Sequence, residues 1–225
     1  HNSATVAKTS VTFPSGITLE GLGGESRCME CHQGRESKLS VDRQITTTFS
    51  LDPVEDLDTV VAPIKNSEGA TVTFGFRNIH YFAAAATQYG TLVKGGYEYD
   101  GQTYDGKFQH PAPFNTCNGC HNPHALELDV EACATCHAGV ATLEDIKEIR
   151  MEGSLMDYDG DGDNEAGIQT EFAGLQAKLL EAIQAYAAEV AESPIGYDAS
   201  TYPYFFGDTD ESGTLDEGER AFTAW

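Results

Sequence analysis

The sequence predicts a mainly α-helical protein with much irregular loop, little β-structure and a core that apolar side chains fill only in part. Three observations support this prediction. Only 40% of the 225 residues are hydrophobic, and 23 are glycine, a composition that favours loops. Apolar residues recur at helical spacing in the C-terminal third. A five-residue cysteine motif occurs three times, and it points to a bound group that supplies the missing apolar volume.

Each copy of the motif reads C-x-x-C-H, the attachment pattern of a c-type haem, whose vinyl groups bind the two thiols and whose iron binds the imidazole. Zinc sites also use C-x-x-C pairs, and six cysteines in an exported chain can form three disulfides. Neither alternative accounts for the histidine after each pair. The sequence therefore predicts a haem-cored protein with three haem c. The covalent attachment residues are Cys28, Cys31, Cys117, Cys120, Cys133 and Cys136, and the proximal iron ligands are His32, His121 and His137.

The spacing of the motifs suggests two regions along the chain. Sixteen residues separate Cys117 from Cys133, whereas 89 separate Cys28 from Cys117, so the second and third haems are expected to be neighbours. We assign residues 1–140 to a triheme region and residues 141–225 to a helical region that resembles an EF-hand.

Local patterns predict the elements in chain order. Residues 1–27 show weak periodicity, and residues 33–75 are mixed with short strands near 60–62 and 71–74. A helix is expected from about Ile79 to Tyr89, with Gly90 as its stop signal, and Gly pairs suggest a hairpin-like turn over 91–108. Thr142 caps a helix that extends to Met151. The elements after it are a long helix over about 169–191 and a last short helix ending at Trp225.

The long helix carries an apolar stripe spaced three and four residues apart, which predicts a face packed into the core rather than a binding surface. The stripe consists of Phe172, Leu175, Leu179, Ile183, Tyr186 and Val190.

The sixth position of each iron decides between carrier and catalyst, because electron carriers fill it and catalysts leave it open. Three internal histidines, His80, His110 and His124, remain for three irons, which predicts two imidazoles on every iron. On the expected helix, Ala83 and Ala84 share a face with His80, and small side chains there let a flat porphyrin approach. A provisional pairing gives His80 to the first haem, His110 to the second and His124 to the third.

His1 is ambiguous. It is either an end of the chain left by processing or a ligand to a haem in a neighbouring subunit.

Residues 208–219 fit the twelve-residue EF-hand calcium loop, with oxygen donors at positions 1, 3, 5, 9 and 12 and glycine at position 6. The predicted side-chain ligands are Asp208, Asp210, Ser212, Asp216 and Glu219, with the backbone carbonyl of Thr214 at position 7. The segment before the loop does not resemble an entering helix. An acidic turn without metal is the alternative interpretation.

A second candidate calcium loop begins at Asp157. Its predicted ligands are Asp157, Asp159, Asp161 and Asp163. Position 12 is Ile168, which has no ligand atom, so Glu171 serves only if the loop is expanded. Four neighbouring carboxylates repel one another unless a cation neutralises them. The sequence thus predicts one or two calcium ions, and a structural role for them in a calcium-rich compartment.

The net charge of −23 argues against nucleic acid or an anionic membrane as a partner. No segment approaches the length of a membrane span. The chain opens at His1 without a signal peptide, and we interpret this as the processed start of an exported, extracellular or periplasmic protein. The abrupt end of the last predicted helix at Trp225 also fits a fragment of a longer chain.

The run from Asn78-Ile79-His80-Tyr81 through Gly95-Gly96-Tyr97 to Cys117-Asn118-Gly119-Cys120-His121-Asn122-Pro123-His124 resembles extracellular and periplasmic multihaem c-type cytochromes. The resemblance is clear over residues 28–140, and the acidic loops fit a subgroup with EF-hand-like segments. It implies closely stacked haems with distal ligands at His80, His110 and His124. Some members form conductive filaments in which one subunit's histidine binds the next subunit's haem, so copies of this chain are candidate partners.

Two functions compete. The leading interpretation is electron transfer among three haems to redox protein partners, without substrate chemistry. The alternative is a multihaem reductase with one open iron, against which the histidine count argues.

Overall fold

The computed structural model describes residues 8–59, 61, 64–75, 77–80, 82–107, 109–151 and 153–219. The chain divides into two compact units, the first running to Gly119 and the second beginning at Cys120. This division falls inside the second C-x-x-C-H. The boundary drawn at residue 140 from the positions of the motifs stays a prediction.

The first unit contains short helices and two small antiparallel sheets. Its elements are β1 (Ser10–Thr12), β2 (Thr18–Glu20), a 3-10 turn (Gly23–Glu25), α1 (Ser26–His32), α2 (Lys38–Phe49), β3 (Ile64–Lys65), β4 (Thr71–Val72), α3 (Ala84–Tyr89), a second 3-10 turn (Gly90–Leu92) and α4 (Cys117–Cys120). Strand β1 pairs with β2 through Val11 and Leu19, and β3 pairs with β4 through Ile64 and Val72.

The core of the first unit lies beneath the first cysteine motif. Met29, in the middle of α1, is fully buried, and α3 supplies two alanines and a tyrosine to the same cluster. Gly95 passes so close that a Cβ there would lie 2.8 Å from the Ala86 Cβ. The small side chains of α3 therefore admit another stretch of backbone. The cluster consists of Val11, Phe13, Met29, Ala85, Ala86, Tyr89 and Val93.

Three sequence-based predictions for this unit were wrong. Residues 10–20 form a hairpin where weak periodicity predicted irregular chain. Helix α2 lies within the segment expected to be mixed, and there the Ser40 hydroxyl accepts the Ser37 N–H at 2.9 Å at the helix start. Three consecutive threonines at its end masked it, because β-branched residues have low helix propensity. Over residues 91–107, the described part of the expected hairpin, the structure shows turns and the 3-10 segment and no strand.

The second unit contains one long helix, several short ones and two hairpins. Its elements are β5 (His121–Asn122), β6 (Glu127–Leu128), α5 (Val130–Cys133), α6 (Leu143–Lys147), α7 (Ile168–Glu189), β7 (Ile195–Tyr197) and β8 (Phe205–Gly207). Helix α7 agrees with the predicted long helix. Helix α6 has the predicted cap, where the Thr142 hydroxyl accepts the Asp145 N–H at 3.2 Å, although it ends before Met151. The predicted last helix lies largely outside the described residues.

The apolar stripe of α7 is not a buried face. Phe172 and Leu179 are 52% and 61% exposed, while Glu171 is 1% exposed. The prediction of a core stripe was therefore wrong. The physical reason is that Glu171, Gly174 and Lys178, one helical turn apart, face the acidic loop instead. Of the remaining stripe residues, Leu175 and Val190 are also exposed, and Ile183 and Tyr186 are half-buried.

Strands β7 and β8 lead the chain into the second acidic loop. Gly196 lies opposite Phe206, and any Cβ at residue 196 would collide with the Phe206 ring. The Asp208 N–H donates to the Pro194 carbonyl at 3.0 Å. A strand therefore enters the loop. The sequence indicated that no helix would, but it did not predict the strand. No helix among the described residues has the length and apolar character needed to cross a bilayer.

Candidate functional site

Helix α1 holds the first C-x-x-C-H rigidly. Ser26 and Met29 face inward and are fully buried, and the Ser26 hydroxyl donates to the Gly23 carbonyl at 2.8 Å. Cys28 and Cys31 are three residues apart, so they share the opposite face of the helix. One face of α1 thus anchors in the core, and the other presents two thiols.

The His32 imidazole is oriented by a backbone carbonyl. Its Nδ1 lies 2.5 Å from the Phe82 oxygen, and a carbonyl only accepts, so Nδ1 carries the hydrogen. The lone pair on Nε2 is then directed away from that carbonyl, which is the arrangement that metal-bound histidines use. His32 is therefore prepared to bind iron through Nε2. The sequence contained no signal for this acceptor.

The segment that supplies the carbonyl also carries His80. His80 and Phe82 have φ values of +76° and +54°, a conformation that costs energy outside glycine. The Asn78 side chain accepts the His80 N–H at 2.6 Å, and the Arg35 N–H donates to the Ile79 carbonyl at 3.0 Å. These bonds hold the segment beside the first motif.

The helix predicted from Ile79 begins only at Ala84. His80 precedes it in a left-handed turn, because Asn78 offers the backbone a local hydrogen bond that competes with the helix. The argument that Ala83 and Ala84 share a helical face with His80 was therefore wrong.

The second motif begins on α4 and ends on β5. The Cys117 N–H donates to the Glu25 carboxylate at 3.0 Å. Burial, followed by the nearby Glu25 and Cys28, raises the pKa of the Cys117 thiol to about 11. Gly119 is required here, since a Cβ would lie 2.8 Å from the Pro113 carbonyl.

His121 and His124 lie on one tight hairpin. His121 pairs with Leu128 across β5 and β6, and the Asn122 side chain accepts the His124 N–H at 3.0 Å and the Ala125 N–H at 3.1 Å. Leu126 closes the turn with a φ of +59°. The turn places His124 at the tip, three residues from the proximal ligand.

The third motif follows directly on α5. The Asp129 carboxylate caps the helix by accepting the Ala132 N–H at 3.2 Å, and the His137 N–H donates to the Cys133 carbonyl at 2.9 Å. Burial, followed by the charges of Cys133 and Asp129, raises the pKa of the Cys120 thiol. Cys120 and Cys133 are therefore close in the second unit.

All six cysteines are unpaired thiols, and Cys31 and Cys136 are exposed. Within the described chain, the groups of three or more metal-ligating side chains are two acidic clusters that include no cysteine. The structure thus favours neither disulfides nor a zinc site. Paired, accessible thiols on helical turns with an imidazole next to each pair fit covalent haem.

The structure places the remaining histidines unevenly. His80 is half-buried, whereas His110 and His124 are exposed. His110 directly precedes Pro111 and lies outside the helices and strands. His1 lies outside the described residues.

The loop at Asp157 gathers three carboxylates. One oxygen each of Asp157, Asp159 and Glu171 lies within 4.8 Å of the others, so Glu171 reaches the loop although it stands beyond position 12. Asp161 and Asp163 are not in this group. Their carboxylates accept backbone N–H bonds from Asp163 and Glu165 at 2.7 and 2.9 Å.

Arg150 forms hydrogen bonds with residues around this loop. Its guanidinium donates to Glu171 at 2.5 Å, to the Ala166 carbonyl at 2.8 Å and to the Ser154 carbonyl at 3.0 Å, and it also bonds the Met156 carbonyl. The Arg150 hydrogen bond, opposed by burial, holds the pKa of Glu171 below its usual value. The calcium-loop pattern gives no hint of this residue.

The loop at Asp208 gathers Asp208, Asp210 and Glu219 within the same limit of 4.8 Å. Asp208 is 5% exposed and accepts the Ser212 and Gly213 N–H groups at 2.9 and 2.8 Å. Backbone N–H donors on Asp216 and Thr209 lower the pKa of Glu219. The Ser212 hydroxyl donates to Asp216 at 3.1 Å. Of the predicted carboxylate ligands, Asp216 lies outside this group.

Three cysteine pairs, each followed directly by a histidine, match the attachment pattern of c-type haem, which multihaem c-type cytochromes carry in several copies. The chain is similar to such proteins. It is 26% identical over 241 aligned residues to the C-type polyheme cytochrome OmcB of Geobacter sulfurreducens, covering 93% of this chain and 26% of the relative. It is 25% identical to the C-type polyheme cytochrome OmcC of the same organism, covering 93% of this chain and 25% of the relative.

The chain spans about a quarter of the length of these relatives. No protein-family model and no solved structure matches it. The relationship is distant, yet it extends over nearly the whole chain and supports a multihaem cytochrome c.

Proposed function

We propose that this chain carries three c-type haems, each iron bound by two imidazoles, and that it passes electrons among them. Three free thiol pairs, each followed by an imidazole, carry the proposal. The relationship to polyheme cytochromes supports it. Each haem, when bound, supplies one reversible electron at its iron.

The chain's own residues set the conditions for that electron. The thiols hold each porphyrin in place, and the Phe82 carbonyl orients the His32 ring. The surrounding carboxylates favour the oxidised, more positive centre and lower the reduction potentials. No residue needs to make or break a bond to a substrate.

We retain His80, His110 and His124 as the distal ligands and His1 as a ligand that one copy of the chain offers another. The provisional pairing of His80 with the first haem, His110 with the second and His124 with the third stays part of the proposal. The hydrogen bond between the Phe82 carbonyl and the His32 imidazole holds the segment that carries His80 beside the first motif.

Low-temperature EPR of the mature protein tests the ligand set. We expect only low-spin ferric signals, and an intact mass that exceeds the polypeptide by three haems. Replacing His80 with Ala should convert one haem, the first in the provisional pairing, to high spin. A high-spin centre in the unmodified protein would instead favour the reductase alternative, and a bare polypeptide mass would end the proposal.

We further propose that the acidic loops bind calcium as structural ions, one at Asp208, Asp210 and Glu219 and one at Asp157, Asp159 and Glu171. The gathering of the three carboxylates in each loop supports this, and oxygen ligands suit Ca²⁺. Calorimetric titration of the chelator-treated holoprotein should show two binding events. The variant Asp208→Asn should remove one event and leave the other, and a titration without heat would contradict both sites.

The site of action that we propose is outside the cytoplasm, either extracellular or periplasmic, where c-type haems are attached in prokaryotes. Partners would be redox proteins or further copies of this chain in a filament. Negative-stain images of extracellular material test the filament, because a homopolymer gives fibres of constant width. Monodisperse particles at every concentration would exclude it.

A further inference from the structure

Glu25 is a buried carboxylate that the proposed electron transfer leaves unexplained. It is 7% exposed and ends the 3-10 turn that leads into α1, three residues before Cys28. Burying a charge is costly unless it is hydrogen-bonded. The residue therefore has a role that offsets this cost.

The Glu25 side chain reaches the start of the second attachment helix. Its Oε2 accepts the Cys117 N–H at 3.0 Å, although 92 residues separate the two in sequence. The same turn passes near the second motif, because a Cβ built on Gly24 would lie 3.7 Å from the Asn118 side-chain nitrogen. Burial, followed by the nearby Glu25 and Cys28, raises the pKa of the Cys117 thiol. The first thiols of the first two motifs are thus held close together.

We propose that Glu25 is a positioning residue that sets the placement of the second haem against the first and lowers their reduction potentials through its charge. The inference rests on the proposed haem attachment. A carboxylate at a helix start both satisfies an unpaired N–H and stabilises positive charge nearby. Here the nearby positive charge is that of oxidised haem.

Three variants of the holoprotein separate the two effects. Glu25→Gln keeps an acceptor for the Cys117 N–H and removes the charge. Glu25→Ala removes both. Glu20→Gln is the matched control, because Glu20 is exposed on β2 and the variant makes the same change in net charge.

The readouts are intact mass, the Soret circular dichroism that reports coupling between neighbouring haems, and a redox titration. We expect three haems in every variant. Glu25→Gln should keep the Soret couplet and shift one or two of the three titration steps upward by about tenfold in the oxidised-to-reduced ratio, or about 59 mV for one electron. Glu25→Ala should also weaken the couplet.

An unchanged couplet and unchanged potentials in Glu25→Ala would overturn the inference while leaving the proposed function intact. Equal potential shifts in Glu20→Gln and Glu25→Gln would overturn the charge effect. Absence of haem from the unmodified protein would instead defeat the proposed function itself.

Discussion

Gly174 lies in the middle of α7, where glycine is unfavourable by about 1 kcal/mol relative to alanine. The structure supplies the reason, because a Cβ there would collide with the Asp159 carboxylate. The glycine lets a ligand of the proposed cation site lie against the helix. Glycine at position 174 therefore lowers the helix propensity of α7 but leaves room for the Asp159 carboxylate.

The variant Gly174→Ala tests this exchange. We expect calcium affinity at the Asp157 loop to fall about tenfold or more, because Asp159 is displaced. Calorimetric titration measures it, with Gln176→Ala as the control, since Gln176 is exposed on the same helix. Equal affinity in both variants would contradict the proposed role of Asp159.

Arg150 is the second residue whose importance appears only in three dimensions. It is 11% exposed and bonds Glu171, whose side chain is 1% exposed. Removing one partner of a buried ion pair is far more costly than removing an exposed one. The pair formed by Lys147 and Glu144, with side chains 51% and 79% exposed, provides the comparison.

We expect Arg150→Gln to lower the thermal midpoint by about 5 °C or more, because Glu171 keeps its charge without its partner. Lys147→Gln should change the midpoint by about 1 °C or less. Calorimetry of both variants in chelator provides the measurement. Similar midpoints would show that the loop does not depend on Arg150.

At the scale of the element, the β5–β6 hairpin carries two of the proposed iron ligands, and one side chain shapes its turn. Asn122 accepts two backbone N–H groups at the turn, as asparagine does in such turns. The sequence predicted His124 as a ligand for a neighbouring haem, since three residues from His121 is too near for the same iron. The hairpin that makes this separation rigid was not predicted, because its strands are only two residues long.

Asn122→Ala should loosen the tip of the β5–β6 hairpin, which carries His124. In a fraction of the molecules, one haem should then become high-spin. Asn122→Asp keeps the acceptor oxygen and is expected to remain low-spin. Variable-temperature visible spectra measure the high-spin fraction in both. If Asn122→Ala also remains fully low-spin, His124 does not depend on the turn.

The acidic loops are predicted to lose their contribution to stability in acid. Backbone donors hold the pKa of Glu219 below its usual 4.5, and those led by the Gly162 N–H hold the pKa of Asp157 below 3.8. A group whose pKa is lower in the folded state stabilises the fold fully above its unfolded pKa. That stabilisation disappears as the pH falls through the pKa that the group has in the folded state.

Thermal midpoints in chelator should therefore stay nearly level from pH 7 to about 5 and fall below about pH 4.5. In the variant Glu219→Gln, the thermal midpoint should decrease less below about pH 4.5. Glu217→Gln, at an exposed position in the same loop, should leave it unchanged. A midpoint that rises on acidification would contradict the sign.

At the scale of the whole molecule, the net charge of −23 governs encounters with redox reagents. A surface of one sign attracts counter-charged reactants at low salt and loses that advantage as salt screens it. Acidic residues predominate over basic ones, 36 to 13. Cationic donors and acceptors are therefore favoured.

Stopped-flow oxidation of the reduced protein tests this. Hexaammineruthenium(III), a cation, should react about tenfold more slowly at 150 mM salt than at 10 mM. Ferricyanide, an anion, should react faster at the higher salt. Equal salt dependence for both reagents would show that net charge does not steer the encounter.

The sequence by itself determined which residues are candidates for the proposed haem and calcium chemistry. Thiol pairs followed by histidine and oxygen ligands at calcium-loop spacing are both local patterns. Such patterns can be recognised in a sequence because chain connectivity alone places their residues close together. The long helix and the Thr142 cap were predictable for the same reason.

Tertiary structure decided which groups serve that chemistry. Three hydrogen bonds at the candidate sites join residues that are distant in sequence. They connect the Phe82 carbonyl to His32, the Glu25 carboxylate to the Cys117 N–H, and the Arg150 guanidinium to Glu171. The exposed stripe on α7 was misread for the same reason, since helical periodicity shows that a face is apolar but not what packs against it. Such contacts depend on how the chain folds back on itself, which no local pattern encodes.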